Sequence, residues 1–555
     1  MRDMSRPLKI IAAQLNPVVG DIQGNLALAQ AAHEQAIGEG ADLVVLSELF
    51  TLGYPAEDLI LKPSAVDQAM QAIMTLAELT RDGPGIIIGT PWAEAGHVYN
   101  SAMFLADGEI LARYDKRHLP NYGVFDEKRL FTPGSGAHHT YAYCGVQIGL
   151  AICEDIWFRD VPEAIKQAGA ELLIVPNASP WRRSISAERA GAFNAWADLG
   201  LPFLFVNQMG GQDELVFDGA SYACSGRYQD RLDIVGEFET GMALISFEAE
   251  AGRFTLHSDS PPAKLTGWAG EYRAAMQALG DYVNKNRFPG IVLGLSGGID
   301  SALTAAIAVD ALGPDRVWCV MLPSKYTSSA SLEDAKACAK ALGVRYDHIS
   351  IAPGVEAMGA MLQPHFADQA PDTTEENIQS RLRAVTLMAL SNKFGHMVVT
   401  TGNKSEMAVG YATLYGDMCG GYNALKDFYK TEVFALCDWR NLHHPRGSLG
   451  PKGAVIPERI ITKPPSAELR ADQRDDDSLP PYDILDDILR ALVDEEADID
   501  DVIARGHDRT LVRRIEHLLY LAEYKRRQAP PGVKVGSKNF GRDRRYPITN
   551  RFRDD

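Results

Sequence analysis

Gly290-Ile291-Val292-Leu293-Gly294-Leu295 is an apolar run that breaks into Ser296-Gly297-Gly298-Ile299-Asp300-Ser301 and resumes as the helical pattern Ala302-Leu303-Thr304-Ala305-Ala306-Ile307. A strand, a glycine turn carrying hydroxyls and a helix start make a place to hold an anion. Paired glycines let backbone N–H groups approach a phosphate closely, and the helix dipole favours negative charge there. Ser296 and Ser301 add side-chain donors. Asp300 would repel a bare phosphate, so an acid at this position points to a divalent cation between it and the phosphates. The plain alternative is a strand-to-helix turn with serine caps. A glycine pair, two serines and an acid coinciding at one turn favour the phosphate cradle. The turn lacks the Gly-Lys-Ser/Thr ending of a Walker A loop.

Outward from this turn, strand and helix alternate: strand 291–295, helix 301–312, strand 316–322, helix 331–342, strand 345–351, helix 375–394 and strand 396–401. That alternation predicts a doubly wound parallel sheet with ligands at the carboxyl ends of its strands. Upstream, 268–286 reads as a long helix introducing the domain, and Ser258-Asp259-Ser260-Pro261-Pro262 as a linker, since two prolines after small polar residues end regular structure. The expected division is therefore 1–257, a linker 258–268 and 269–555. Residues 417–470, rich in Gly, Pro and Lys and poor in periodicity, read as mobile loops able to close over a substrate. The Asp-rich stretch 471–501 reads as a solvated surface around a short helix. The tail 525–553 is basic, which in an acidic chain suggests docking on an acidic neighbour or contact with a phosphate-bearing substrate.

The first ~260 residues read as mixed α/β. Strands are expected at 8–14, 42–47, 85–89, 101–105, 146–152, 171–175, 202–207 and 242–247, with helices at 25–38 and 64–80. With 555 residues the chain is too long for a single core. Its net charge of −18 argues against general binding to nucleic acid or anionic membranes. No stretch approaches a membrane span, and Met1-Arg2-Asp3-Met4-Ser5-Arg6-Pro7 has no apolar signal core. Seven cysteines without a C-x-x-C pair suggest reduced thiols in a cytoplasmic enzyme rather than disulfides or a zinc site.

Three positions in the first half stand where apolar runs end. Leu43-Val44-Val45-Leu46-Ser47 ends in Glu48, and Gln147-Ile148-Gly149-Leu150-Ala151-Ile152 ends in Cys153. Between them lies Tyr114-Asp115-Lys116-Arg117-His118. A thiol nucleophile, a carboxylate base and a cation are what amide hydrolysis through an acyl-enzyme requires. Singly, Cys153 reads as a small core residue and Glu48 or Lys116 as surface charges.

Ser47-Glu48-Leu49, Asp115-Lys116-Arg117 and Ala151-Ile152-Cys153-Glu154-Asp155 resemble, in order and separation, the three signatures of the nitrilase (carbon–nitrogen hydrolase) family over roughly 8–250. The resemblance implies a four-layered α-β-β-α sandwich, a Glu48-Lys116-Cys153 triad, and a second carboxylate at Glu127 that orders the site. It also implies assembly into a homo-oligomer. His118 is left as structural. Tyr122, six residues beyond Lys116, is near enough to line a glutamine pocket. Ser179, in Asn177-Ala178-Ser179-Pro180-Trp181, resembles the family segment that holds the amide substrate. A basic residue for the amino acid's carboxylate belongs about two turns of chain further on; Arg182 and Arg183 both stand there, and either fits.

The turn at 296–301 resembles the pyrophosphate-binding loop of the ATP pyrophosphatases, which adenylate a substrate. Three further clusters, the Asn377-to-Arg381 helix face, Thr401-Gly402-Asn403-Lys404-Ser405-Glu406, and Lys426-Asp427 with Lys430, supply cations for a triphosphate and carboxylates for magnesium. With Lys463-Pro464-Pro465-Ser466-Ala467-Glu468-Leu469 and Glu523-Tyr524-Lys525-Arg526-Arg527 they resemble the NAD synthetase family over about 270–550. That resemblance implies ATP at Gly294, Leu295, Ser296, Gly297, Gly298, Ile299, Asp300, Ser301 and Thr401. It further implies deamido-NAD (nicotinic acid adenine dinucleotide) at Asn377, Glu406 and Lys525, and Mg2+ at Asp300 and Glu406. The order of the two halves matches glutamine-dependent NAD synthetases, ligases that feed glutamine-derived ammonia to an adenylated carboxylate. Since ammonia is mostly protonated at neutral pH, a shielded path from Cys153 to Ser296 is expected. Two other readings stay open: an amidotransferase acting on another adenylated acid, and a nucleotide-sensing regulatory protein.

Overall fold

The computed structural model of the chain describes residues 6–258, 262–366, 369–470, 473, 475 and 479–554. Residues 259–261 of the expected linker, and 471, 472, 474 and 476–478 of the Asp-rich stretch, lie outside the described residues. The chain divides into two compact units, Met1–Leu265 and Thr266–Asp555.

In the first unit the strand Leu8–Gln14 sets the layering. Leu8, Ile10 and Ala12 point to one face and Ile11 and Ala13 to the other, and both sets are buried. A strand buried on both faces needs a layer on each side. One layer is a second sheet: Ile10, Leu43 and Val45 share a core with Ile148, Leu150, Leu172, Ile174, Leu204 and Val206. On its other face lie the helices Ile22–Glu39 and Pro63–Leu79, through Ala29, Ala32, Ala36, Ile73 and Leu76. Beyond the second sheet Val161, Ile165 and Phe193 of two further helices cover Leu173, Val175, Phe203 and Phe205. The result is the expected α-β-β-α sandwich.

Its first sheet runs in the order Arg253–Leu256, Gly241–Glu248, Leu8–Gln14, Leu43–Val45, Gly85–Glu94, His97–Ala106, Glu109–Asp115. The second runs Arg231–Asp233, Tyr222–Cys224, Phe203–Asn207, Leu172–Asn177, Val146–Leu150, Tyr141–Tyr143. Every strand read from the sequence in this unit is present, Leu8–Gln14 with the expected ends and the others with shifted ends. The edge strand Glu109–Asp115 escaped the sequence reading because Ile110, Leu111 and Ala112 run together without alternating with polar residues, and most of the strand is exposed or half-buried.

The second unit holds a parallel five-stranded sheet in the order Arg345–His348, Val317–Met321, Ile291–Gly294, Met397–Thr400, Tyr422–Asn423. The order reverses between Ile291–Gly294 and Met397–Thr400, so the loops after these two strands open at the switch point where such sheets bind ligands. A helical cluster of Met407, Leu485, Ile488, Leu489, Val512, Ile515 and Leu519 packs beside it.

Three expectations for this unit are corrected. Residues 417–470 are not simply mobile loops: Lys430–Leu442 is a helix that buries Val433, Leu436 and Cys437, beginning after the buried Phe428 and Tyr429. Its apolar residues are interleaved with charges that face carboxylates, which masked the helical period. The Asp-rich stretch is not simply solvated, since Asp475 and Asp486 are buried and hydrogen-bonded to Tyr411, Tyr482, Ser405 and Thr431. The basic tail is not wholly available to a neighbour or substrate, since Arg544 pairs with Glu523 and Lys534 with Asp543.

Candidate active sites

Three strand ends build the first site. Leu43–Val45 leads to Glu48, Glu109–Asp115 to Lys116 and Val146–Leu150 to Cys153. Glu48 and Lys116 are 1% exposed and Cys153 is 7% exposed, so the charged pair is no surface decoration. Buried charges persist only when paired. Lys116 Nζ donates to Glu48 Oε1 at 2.7 Å and to Glu127 Oε1 at 2.8 Å. Asn100 Nδ2 donates to Glu48 Oε1 at 2.8 Å, and the Ala178 N–H donates to Glu48 Oε2 at 3.0 Å. Tyr54 donates its hydroxyl to Glu127 Oε1 at 2.8 Å.

This packing tunes the site. Burial alone would lower the Lys116 pKa, but the carboxylates of Glu127 and Glu48 overcome it and hold the ammonium charged. Burial pushes Glu127 up to about 7 against the pull of Lys116. Burial, reinforced by Glu48, pushes the Cys153 thiol well up, while Lys116 draws it down. The resting thiol is therefore protonated and needs a base to become a nucleophile.

Backbone shape presents that thiol. Cys153 has φ +40°, in the left-handed region non-glycine residues rarely occupy, at the start of the 3-10 turn Cys153–Trp157. Asp155 fixes the turn, accepting from the Ile152 N–H at 3.0 Å and from the N–H groups of Arg117 and His118 at 3.0 and 2.9 Å. It thereby ties the chain after Lys116 to the chain before Cys153. Gly89 lets Glu48 in: a Cβ there would lie 2.2 Å from the Leu49 nitrogen and 2.6 Å from the Glu48 Cα.

Around this triad the expected glutamine contacts separate. Tyr122 is half exposed, and its hydroxyl donates to Glu154 Oε1 at 3.0 Å. Ser179 is buried beside Ala178, which contacts Glu48. Arg182 pairs with Glu188. The arginine that reaches Ser179 is Arg189, from the helix Ile185–Asn194: Nη2 donates to the Ser179 carbonyl at 2.9 Å and to its Oγ at 3.2 Å. Sequence distance pointed to 182–183, but the arginine that reaches Ser179 lies on the helix Ile185–Asn194 that follows. His118 Nε2 lies 3.0 Å from Asp160 Oδ1, and its ring stacks on Phe158.

The second site is a cavity of about 600 Å³ in the other unit. Residues 294–296 and 298–301 line it, as do Asn377, Thr401, Glu406 and Lys525. Gly297 turns away at φ +80°; a Cβ on it would lie 2.4 Å from the Ser331 carbonyl oxygen, so glycine is required there. Ser296 and Ser301 hydroxyls lie 3.1 Å apart, and Ser301 Oγ donates to the Gly298 carbonyl at 2.9 Å. The helix Ile299–Leu312 starts at this turn.

Asp300 and Glu406, two of the acids lining the cavity, are held together by the chain's own donors. Lys430 Nζ donates to Asp300 Oδ2 at 2.5 Å and to Glu406 Oε1 at 3.3 Å. Asn403 donates from Nδ2 to Asp300 Oδ1 at 2.8 Å while its Oδ1 accepts from the Glu406 N–H at 3.0 Å. Burial pushes Glu406 up to about 8 despite Lys430, with Asp300 adding to the rise. Thr413 donates its hydroxyl to Asn377 Oδ1 at 2.8 Å. Lys525 Nζ donates to the carbonyls of Gly410 and Ala412, both at 2.8 Å, and burial lowers its pKa. Of the lysines read as triphosphate ligands, Lys430 faces the cavity, joined by Lys463 and by Arg383. Lys426 does not line it, and Asp427 is taken by Lys404 in an ion pair with both partners 1% exposed. Among the described residues no three His, Cys, Asp or Glu side chains converge as a metal-binding group, and no helix is long and apolar enough to cross a membrane.

Comparison with known proteins matches each unit to a family model, carbon–nitrogen hydrolase over residues 9–244 and NAD synthase over residues 271–529. A glutamine-dependent NAD(+) synthetase from Rhodobacter capsulatus is 48% identical, covering 99% of this chain and 100% of the relative. One from Acinetobacter baylyi is 43% identical, with the same coverage. Among solved structures, a glutamine-dependent NAD+ synthetase from Acinetobacter baumannii in complex with adenosine diphosphate is 40% identical with a TM-score of 0.77, covering 98% of this chain and 99% of that one. The chain belongs to the glutamine-dependent NAD(+) synthetases, a carbon–nitrogen hydrolase region followed by an NAD synthase region.

Proposed function

We propose that this chain is a glutamine-hydrolysing ligase that makes NAD from deamido-NAD, with a glutaminase in 1–257 and a synthetase in 269–555. The observation that carries the reading is the buried Glu48–Lys116–Glu127 arrangement around Cys153, in one chain with the glycine turn and its two facing acids. Glu48 takes the Cys153 proton, the thiolate attacks the side-chain amide of glutamine, and Lys116 stabilises charge on the carbonyl oxygen. Ammonia leaves with a proton returned by Glu48, and water then releases glutamate from the thioester. Tyr122 and Ser179 contact the glutamine.

In the second unit ATP lies along residues 294–301 and Thr401, and deamido-NAD at Asn377, Glu406 and Lys525. The dinucleotide carboxylate attacks the α-phosphorus of ATP and expels pyrophosphate. Ammonia then attacks the acyl adenylate, releasing AMP. Asp300 and Glu406 suit magnesium, which is commonly held by one or two carboxylates plus substrate phosphates; once bound it would neutralise phosphate charge. The seven free cysteines fit a reducing compartment, the cytoplasm.

The deciding assay is glutamine-dependent pyrophosphate release scanned over candidate acceptor acids. Release with deamido-NAD alone supports the proposal. Release with a different acid moves the chain to another amidotransferase, and none with any acid favours a nucleotide sensor. Labelled ammonium added beside unlabelled glutamine should enter the product poorly if ammonia passes between the sites shielded; full dilution would rule out shielded transfer.

A further inference from the structure

Arg189 is buried, its guanidinium sits 5.5 Å above the Phe205 ring, and it reaches Ser179. Its guanidinium carries N–H donors and no lone pair, so it only donates. Nη1 donates to Asp218 Oδ2 at 2.9 Å and Nη2 to Asp218 Oδ1 at 3.0 Å, a two-point fork on one carboxylate. The remaining contacts go to one serine: Nε and Nη2 donate to Ser179 Oγ at 3.3 and 3.2 Å, and Nη2 donates to the Ser179 carbonyl at 2.9 Å. The other side of that serine is also fixed. Asn207 accepts from the Ser179 N–H through Oδ1 at 2.9 Å and donates from Nδ2 to Asp218 Oδ1 at 3.3 Å.

A serine hydroxyl has one proton and two lone pairs. Facing a group that can only donate, Ser179 Oγ must accept on that side, and its proton must point elsewhere. Among the described residues no acceptor takes that proton. Every guanidinium nitrogen already has a partner, and Asp218 balances the charge, so Arg189 is poorly placed to bind a carboxylate itself.

We propose that Arg189, locked by Asp218, is a positioning residue that keeps the Ser179 hydroxyl turned outward as a donor to the anionic end of the amino-acid amide. This rests on the reading that Ser179 contacts glutamine. Arg189 touches no substrate; it sets the direction of a neutral donor that does. Carboxylate recognition then comes from an oriented O–H on a rigid strap, with the arginine behind it.

A double-mutant cycle on the full-length enzyme tests this, reading glutamine kcat and KM separately. Ser179→Ala should raise the glutamine KM about tenfold with kcat nearly unchanged, the loss of one hydrogen bond to a charged group. Arg189→Lys keeps the charge but loses the fork, and should raise KM by a similar factor. In the Ser179→Ala background Arg189→Lys should add less than about twofold. If Arg189→Lys raises KM by the same factor in both backgrounds, or leaves it unchanged with Ser179 present, the positioning role is wrong. If Ser179→Ala alone leaves KM unaltered, the glutamine contact of Ser179 is wrong, and the inference falls with it. Should circular-dichroism melting show that Arg189→Lys unfolds, the neutral pair Arg189→Gln with Asp218→Asn goes through the same cycle, judged by the same outcomes.

Discussion

Lys430 Nζ stands 2.5 Å from Asp300 Oδ2 and reaches Glu406 Oε1 at 3.3 Å, so a lysine occupies the space between the two acids proposed for magnesium. Asn403 takes the other Asp300 oxygen, and its N–H approaches Glu406 Oε2 at 3.4 Å. All four carboxylate oxygens are thus engaged by the chain's own donors. A divalent cation entering here must displace Lys430, which the phosphates of a nucleotide would then welcome. Lys430→Met should therefore bind Mn2+ without nucleotide about tenfold more tightly than the unmodified protein. Titration calorimetry or Mn2+ electron paramagnetic resonance reads this directly, and equal affinities would show that Lys430 does not guard the site.

The two chemistries should separate at Cys153. Cys153→Ala should lose glutamine-driven synthesis by several orders of magnitude, because the nucleophile is gone. Synthesis from added ammonia should persist. Loss of both activities would mean that Cys153 has another task.

Glu127 links pH to the first site. Its pKa lies near 7, so it is ionised above that pH and gives Lys116 a second anionic partner; below it the proton returns and that partner is lost. Glutamine-dependent kcat/KM should rise as pH climbs through about 7. Glu127→Gln cannot ionise, so this limb should vanish and activity at pH 8 should fall about tenfold, toward the unmodified enzyme's value one unit below the pKa. An unchanged limb in Glu127→Gln would assign it to another group.

Gly89 makes a packing prediction. A methyl group there would lie 2.2 Å from the Leu49 nitrogen and within 2.6 Å of Glu48. Gly89→Ala should destabilise the first unit by about 3 kcal/mol and misplace Glu48, lowering glutaminase activity as well. Denaturant melting against the unmodified protein measures the first effect. A variant of normal stability and activity would show that the strand can yield.

Much of this was legible in the chain. The apolar run before Ser296, its glycine pair and the alternating elements after it determined a parallel sheet with a glycine turn at a helix start, because strand, turn and helix each leave a local periodicity. The strands read at 8–14, 146–152 and 171–175 are present as Leu8–Gln14, Val146–Leu150 and Leu172–Asn177 for the same reason: they are largely apolar on both faces. What escaped were elements whose stability comes from elsewhere. The helix Lys430–Leu442 carries charges that look like loop residues until Asp300, Glu406 and Asp486 are set opposite its first turn. The edge strand Glu109–Asp115 has no apolar alternation of its own.

The chemistry divides along the same line. Glu48 and Cys153 could be nominated from the sequence because each follows an apolar run, and Lys116 because Asp115-Lys116-Arg117 resembles a family signature. Only the fold could decide that Glu127 shares Lys116, that Asp155 ties the two strand ends together, and that Arg189 instead of Arg182 lies behind Ser179. Those pairings span 11 to 68 residues of chain for the lysine and its carboxylates, and no local pattern records them. Burial then sets their strength: out of water each charge must find a partner, and the tertiary structure alone determines which one is within reach.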